Sequence, residues 1–272
     1  MLVLLKQDRP IHRAKIRAMS SASAQMTENL ARVRERIELS ATRAGRQPEE
    51  ITLIAVSKTH SARKIQELYE AGVRHFAENR VQERESKLAH LTGLGATWHM
   101  IGHIQKNKAA KAVRMFDSVD SVDSIALAEK LNRAKEEFNT EISDSAKIHT
   151  DSVPSAYGNQ LRVLIEVKLD PAPAKSGVDG RELPRLLEAL TLLPLLNLHG
   201  LMGVPPYFDD PEEARPYFRR LRELRDAVRA QLGSEMLPVL SIGMSHDLEI
   251  AIEEGATEVR VGTALFGERE RA

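Results

Sequence analysis

The stretch Ile51-Thr-Leu-Ile-Ala-Val-Ser-Lys-Thr-His60 decides how the rest of the chain is read. Its apolar run, rich in β-branched residues, has the pattern of a strand covered on both faces, as in a parallel α/β sheet. Lys58 stands directly behind that strand, between apolar walls and an open mouth. Partial desolvation at such a position lowers an ammonium pKa, and a neutral amine attacks an aldehyde to form an imine. A solvated surface lysine is the plainer alternative, and the flanking sequence has to choose between them.

Downstream of that strand a regular rhythm runs. The strand at 52–57 is followed by a predicted helix at 61–71, closed by Gly72, then a strand at 73–77 and a helix from Arg80 to Leu91. Thr97–Ile101 reads as the third strand and Lys106–Val113 as its helix; Met115–Val119 reads as the fourth strand, with a helix at 123–138. Asn139 to Gln160 is polar without apolar period and is expected as a mobile insertion. The rhythm resumes with a strand at 161–167, a helix at 180–193, a strand at 196–201 and a long charged helix at 211–232. Pro238–Ile242, a helix at 246–254 and Thr257–Val261 complete it. Eight strands alternating with helices over about 220 residues is the arithmetic of a single α/β domain, a (β/α)8 barrel. The competing fold is a doubly wound open sheet, but no G-x-G-x-x-G turn follows the first strand.

Upstream, Leu30, Val33, Ile37 and Leu39 predict an extra amphipathic helix over about 27–46, ended near Gly45 and Pro48. Residues 1–24 are basic, with Asp8 the single acid, and are expected as a disordered extension ahead of a domain at 25–270. Their composition is faintly like an organelle transit peptide, and a start codon mis-assigned upstream of Met26 accounts for it equally well.

The 272 residues carry 39 Lys+Arg against 39 Asp+Glu, so no global field favours nucleic acid or an anionic membrane. The chain has no cysteine, which excludes disulfides, thiolate catalysis and thiolate metal sites. No apolar run is long enough to span a bilayer, and the expected compartment is the cytoplasm.

In such a barrel the functional face lies at the C-terminal ends of the strands, and phosphates often dock in the loops after strands seven and eight. Those loops are Gly243-Met-Ser-His-Asp247 and Gly262-Thr-Ala-Leu-Phe-Gly267. Both place small residues where backbone N–H groups can approach an oxyanion, and Ser245 and Thr263 add hydroxyls. Read more plainly, Ser245 is a helix N-cap and the glycines are turns. Arg260 points either into the barrel mouth or toward Glu253 or Glu254. Asn79 and Glu78 follow strand two, where Asn79 either contacts a ligand or caps the next helix. Gly102–Lys108 forms a basic loop suited to an anion or a partner surface. His99 and His103 lack a carboxylate at ligand spacing, so no metal site is expected. His199 is expected as an ordered interior residue.

Ala55-Val-Ser-Lys-Thr59, Phe76-Ala-Glu-Asn79, Val81-Gln-Glu83, Trp98-His-Met-Ile-Gly102 and Gln105-Lys-Asn-Lys108 closely resemble the pyridoxal phosphate homeostasis proteins of the YggS/PROSC type. So do Lys175-Ser-Gly177, His199-Gly-Leu-Met202, Ser241-Ile-Gly-Met-Ser245 and Arg260-Val-Gly-Thr-Ala-Leu-Phe-Gly267. The resemblance runs in order over about 27–268, leaving out the 139–160 tract, which is longer than typical. It implies a TIM barrel of the fold-type III kind, related to the N-terminal domain of alanine racemase. It further implies pyridoxal 5′-phosphate held as an imine on Lys58, with Ser245, Gly262 and Thr263 at the phosphate, Arg260 at the pyridine nitrogen and Asn79 near the ring. Ser241 lies close enough to join that set. Lys168–Lys175 departs from the pattern, with Pro and Ala where relatives carry acidic or polar residues.

A guanidinium stays charged, so a pyridine nitrogen facing Arg260 stays unprotonated and the ring is a poor electron sink. Racemisation also needs a second acid/base on the opposite face, and Tyr157, Tyr207 and Tyr217 fall in loops or an outer helix. The expected protein is therefore a carrier that buffers the cofactor and delivers it to apo-enzymes, working as a monomer or weak homodimer. The alternatives are a weak amino-acid racemase and a regulatory module that meets a partner through the Gln105–Lys108 loop or the 211–232 helix.

Overall fold

The computed structural model describes the backbone of residues 10–146, 158–172 and 175–268, and side chains over 24–143, 158–172 and 175–268. In chain order the main elements are α1 (Pro10–Arg43), β1 (Thr52–Val56), α2 (Ala62–Glu70), β2 (His75–Glu78), α3 (Val81–Lys87), β3 (Thr97–Met100), α4 (Ala109–Met115) and β4 (Ser118–Val122). There follow α5 (Ile125–Ala146), β5 (Leu161–Val167), α6 (Leu183–Thr191), β6 (Leu196–Gly203), α7 (Arg215–Leu232), β7 (Val239–Ser241), α8 (Leu248–Glu253), β8 (Glu258–Val261) and α9 (Thr263–Phe266). All eight strands are parallel and close into one barrel, β8 returning to pair with β1 through Leu53 and Val259. Closure settles the choice between barrel and open sheet.

Strand alternation sorts the side chains. Val163, Ile165 and Val167 of β5, like Val259 and Val261 of β8, face outward into the core shared with the helices. Their neighbours face the barrel interior, where Ile54, Val56 and Ala77 make a small separate apolar cluster with Ile101. Much of the rest of that interior is polar. His99 bonds Asp120 at 2.9 Å and His75 at 3.1 Å, Ser118 donates to Asp120, and Arg162 of β5 pairs with Glu258 of β8.

This polar lining moves β4 relative to its expected span of 115–119. Met115 instead closes α4 and Phe116 is buried, while Ser118 and Asp120 enter the interior network. The helix α1 is continuous from Pro10, so it starts before the expected residue 27, and its buried Leu30, Val33, Ile37 and Ala41 belong to the main core. Likewise α5 continues to Ala146, into the tract expected as a loop, and Asn139 Nδ2 donates to Asn159 O at 2.8 Å across it. Residues 1–9 of the expected extension, 147–157 of the expected insertion and Tyr157 with them lie outside the described residues.

The interior histidine carries a pH signature. Burial first, then the His99 and Arg162 charges, depress His75 to about 4. The unfolded chain therefore binds one more proton than the folded chain between about pH 6.5 and 4, and this contribution to stability is lost as pH falls through that window. Its slope is at most about 1.4 kcal/mol per pH unit. Glu166, which burial raises to about 7, works in the opposite sense over part of the same range. The prediction is thus a difference: urea unfolding of the His75→Gln variant should lose less stability than the parent between pH 6.5 and 4.5. Parallel curves would refute it.

Candidate functional site

The seven residues singled out by sequence fall at the C-terminal ends of β1, β2, β7 and β8, which are consecutive neighbours around the barrel. They therefore share one arc of one rim. Each is positioned by identifiable contacts.

Lys58 is half-buried, two residues beyond β1. The turn that carries it is pinned from three sides. Ser57 donates its amide to Ala77 O at 2.9 Å and its hydroxyl to Glu78 Oε1 at 2.8 Å. Lys87 of α3 donates both to Ser57 O at 2.9 Å and to Glu78 Oε1 at 2.7 Å. Burial raises the Glu78 carboxyl, and the Lys87 and Ser57 hydrogen bonds pull against it. Beyond Lys58, Thr59 sits at φ 66°, a conformation that costs a non-glycine residue roughly 1–3 kcal/mol, and its amide is held by Glu83 Oε2 at 2.9 Å. The His60 ring then stacks on Phe266 of α9, with centroids 4.4 Å apart and an 11° interplanar angle. The lysine turn and the loop after β8 are thereby coupled.

In the two glycine-containing loops, the Ser245 hydroxyl oxygen accepts from the amides of Gly262 at 3.3 Å and Ala264 at 3.2 Å. Ser245 is thus a bridge between loops; the N-cap of α8 is Asp247. Gly243 holds φ +89°, and a Cβ there would stand 2.5 Å from Ala251 Cβ, so only glycine lets the loop pack on α8. Helix α1 buttresses this cradle from outside: Arg36 grips Glu249 through two nitrogens and donates to Ser245 O at 3.0 Å. Gly262 is half-buried and Thr263 exposed at the same edge.

Arg260 points into the barrel. Its guanidinium donates to Ser241 O at 2.6 Å, Ser241 Oγ at 2.8 Å and Gly203 O at 2.9 Å, and the residue is 3% exposed. Burial lowers its pKa, opposed by Asp120, Glu166, Glu258 and Asp247. Glu253 and Glu254, the alternative partners, instead bind Arg215, with Arg219 and Arg222 also on Glu254.

Asn79 follows β2 and is half-buried. It does not cap the next helix, whose N-cap is Arg80. Its backbone lies so close to β3 that a Cβ on Gly102 would stand 2.2 Å from Asn79 O. The basic loop Gln105–Lys108 lies after β3, outside the arc, with Lys106 exposed.

Sequence reading missed the carboxylates that reach the histidines. His99, Asp120 and Glu258 offer ligand atoms within 4.8 Å of one another, yet those groups are engaged with His75, Ser118 and Arg162. Burial alone would raise Asp120, but His99, Arg162 and Ser118 outweigh it and hold the carboxyl below its usual range. His199 on β6 is half-buried beside Asn197 Oδ1 at 3.1 Å, and burial lowers its pKa. Glu166 was also missed. The signal was present in Leu161-Arg-Val-Leu-Ile-Glu-Val, where Arg162, Leu164 and Glu166 share the interior face.

Residues 28–270 match the family described as alanine racemase, N-terminal domain. The chain is 41% identical over 243 residues to the pyridoxal phosphate homeostasis protein of Aquifex aeolicus, covering 89% of this chain and 98% of that one. It is 39% identical over 252 residues to the protein of the same name from Escherichia coli K12, covering 90% and 97%. The structure of PipY from Synechococcus elongatus with PLP bound superposes with a TM-score of 0.72 at 38% identity, covering 89% of this chain and all of that one, 100%. The barrel, its rim and these similarities place the chain in the pyridoxal phosphate homeostasis protein family.

Proposed function

We propose that this protein holds pyridoxal 5′-phosphate at the arc formed by β7, β8, β1 and β2, and that it stores and delivers the cofactor in the cytoplasm. The observation that carries the reading is the donor set of that arc: a primary amine at Lys58, an amide and hydroxyl cradle at Ser245, Gly262 and Thr263, and a guanidinium at Arg260. An aldehyde, a phosphate and a ring nitrogen in one ligand match those three groups in kind. When bound, the cofactor supplies an aldehyde for a reversible covalent link to Lys58. Ser241 and Gly203 orient Arg260; Asn79 borders the ring side, and the His60–Phe266 stack keeps the amine and the cradle in register.

A carrier role rather than catalysis is supported by what surrounds the arc. Tyr207 is 76% exposed and stacks on His246, and Tyr217 packs on Phe208 beside α7, so neither is an interior acid/base. No helix among the described residues is long and apolar enough to cross a membrane. Recipients would be apo-enzymes that use the same cofactor.

Borohydride reduction of the loaded protein followed by peptide mass mapping tests the site. The phosphopyridoxyl mass should fall on the peptide containing Lys58; an adduct elsewhere, or none, refutes the assignment. Measurable conversion of L-alanine to D-alanine by the purified protein would refute the carrier reading.

A further inference from the structure

A second site lies where β5 and β6 end. There Glu166, Val167, Asp170, Lys175, Ser176 and Val204 line a cavity of about 170 Å3. Its chemistry is lopsided. Glu166 is 9% exposed, and its Oε2 is buried without a hydrogen-bond partner among the described residues. Asp170 supplies a second carboxylate, bonded through Oδ1 to the Ala172 amide and 3.6 Å through Oδ2 from the exposed Lys175 ammonium. The inner end of the cavity thus offers an unanswered acceptor, and the outer end a cation and a hydroxyl.

We propose that this cavity binds a small primary ammonium compound through Glu166, and that a zwitterionic α-amino acid fits it best, its carboxylate directed toward Lys175 and Ser176. A buried acceptor with no donor is costly, more so if charged, and an ammonium relieves it with a charge-assisted hydrogen bond. The volume suits the assignment. At about 30 Å3 per water, the space takes five or six waters or one amino acid with a short side chain. A bare divalent ion needs far less room and would meet the Lys175 charge. Two carboxylates against one lysine disfavour an anion.

The electrostatics give the site a pH dependence. Burial, and then Asp123, raise the Glu166 carboxyl to about 7, while Arg260 and His103 pull it down; Asp170 and Lys175 face it across the cavity. An ammonium pairs with the ionised form, so affinity should be full above that value and fall below it. For a single group of that pKa the dissociation constant rises about tenfold from pH 8 to pH 6.

The proposal stands apart from the cofactor reading, and cofactor-free full-length protein suffices to test it. Protein-observed NMR titrations with L-alanine, ethylamine, propionate and magnesium chloride separate the possible sources. Saturable shifts of the Val167, Ser176 and Val204 amides with L-alanine and with ethylamine are expected, tighter for L-alanine. In Glu166→Gln they should weaken at least tenfold and lose their pH dependence. The pH series on the unmodified protein gives the same answer if that variant folds poorly. Absence of saturable shifts, binding unchanged in Glu166→Gln, or an equal response to propionate or magnesium would overturn the proposal. Equal affinity for ethylamine and L-alanine would overturn its amino-acid part.

Discussion

Lys58→Ala is expected to abolish covalent retention of pyridoxal 5′-phosphate while leaving the barrel folded. After borohydride reduction the variant should carry no phosphopyridoxyl mass, against near-stoichiometric labelling of the parent. The reasoning lies in how the turn is built. Ser57, Thr59 and His60 carry the contacts that hold it, to Ala77, Glu78, Lys87, Glu83 and Phe266. Removing one half-buried side chain between them leaves those contacts in place, so the variant should still unfold cooperatively as a folded barrel. Lys58→Arg makes the sharper control. A guanidinium keeps the positive charge but is not a nucleophile toward an aldehyde. It should therefore retain weak, dialysable binding through the Ser245–Gly262 cradle and Arg260, with no covalent adduct. Stable labelling of either variant at another lysine would show that the amine is not Lys58.

What could be read from the chain depended on how local the physics was. Lys58, Gly243–Ser245 and Gly262–Thr263 were legible because a strand end and its loop are contiguous in sequence, and barrel order then places β7, β8, β1 and β2 side by side. Partners that come from distant strands were not legible. Arg260 could face the mouth or Glu254, and only closure of the barrel shows that Ser241 and Gly203 receive it. Ser245 and Asn79 have the composition of caps, but Asp247 and Arg80 take those positions, because the loop geometry places Ser245 against the Gly262 amide instead. The shift of β4 has the same origin. The apolar residues of Met115-Phe-Asp-Ser-Val119 attract a strand assignment there, but Met115 closes α4 and the strand runs on so that Asp120 reaches His99. The alternation Arg162–Leu164–Glu166 in an otherwise apolar strand was the available warning.

That polar interior yields the largest expected loss of stability, in Glu258→Ala. Arg162 and Glu258 meet across the barrel with side chains only 3% and 6% exposed. A buried ion pair contributes little relative to an apolar pair of the same shape, because desolvation offsets the attraction. Deleting one member is different: it takes the principal carboxylate from a buried guanidinium and leaves it only weaker neighbours such as the Ser118 hydroxyl at 3.4 Å, which costs up to about 3–5 kcal/mol. With 2–4 °C per kcal/mol for a domain of this size, Tm should drop by roughly 10 °C. Glu258→Gln, which keeps the shape and a hydrogen-bond acceptor, should lose less. The decisive arm is the double variant Arg162→Leu/Glu258→Leu. If the single substitution hurts through a guanidinium that has lost its main counter-charge, removing that guanidinium as well should recover most of the loss, so the double variant should lose less than the sum of the two single losses. Should Glu258→Ala instead unfold within about 1 kcal/mol of the parent in urea, the remaining neighbours of Arg162, Ser118 and Asp120 among them, or water suffice to hold its charge.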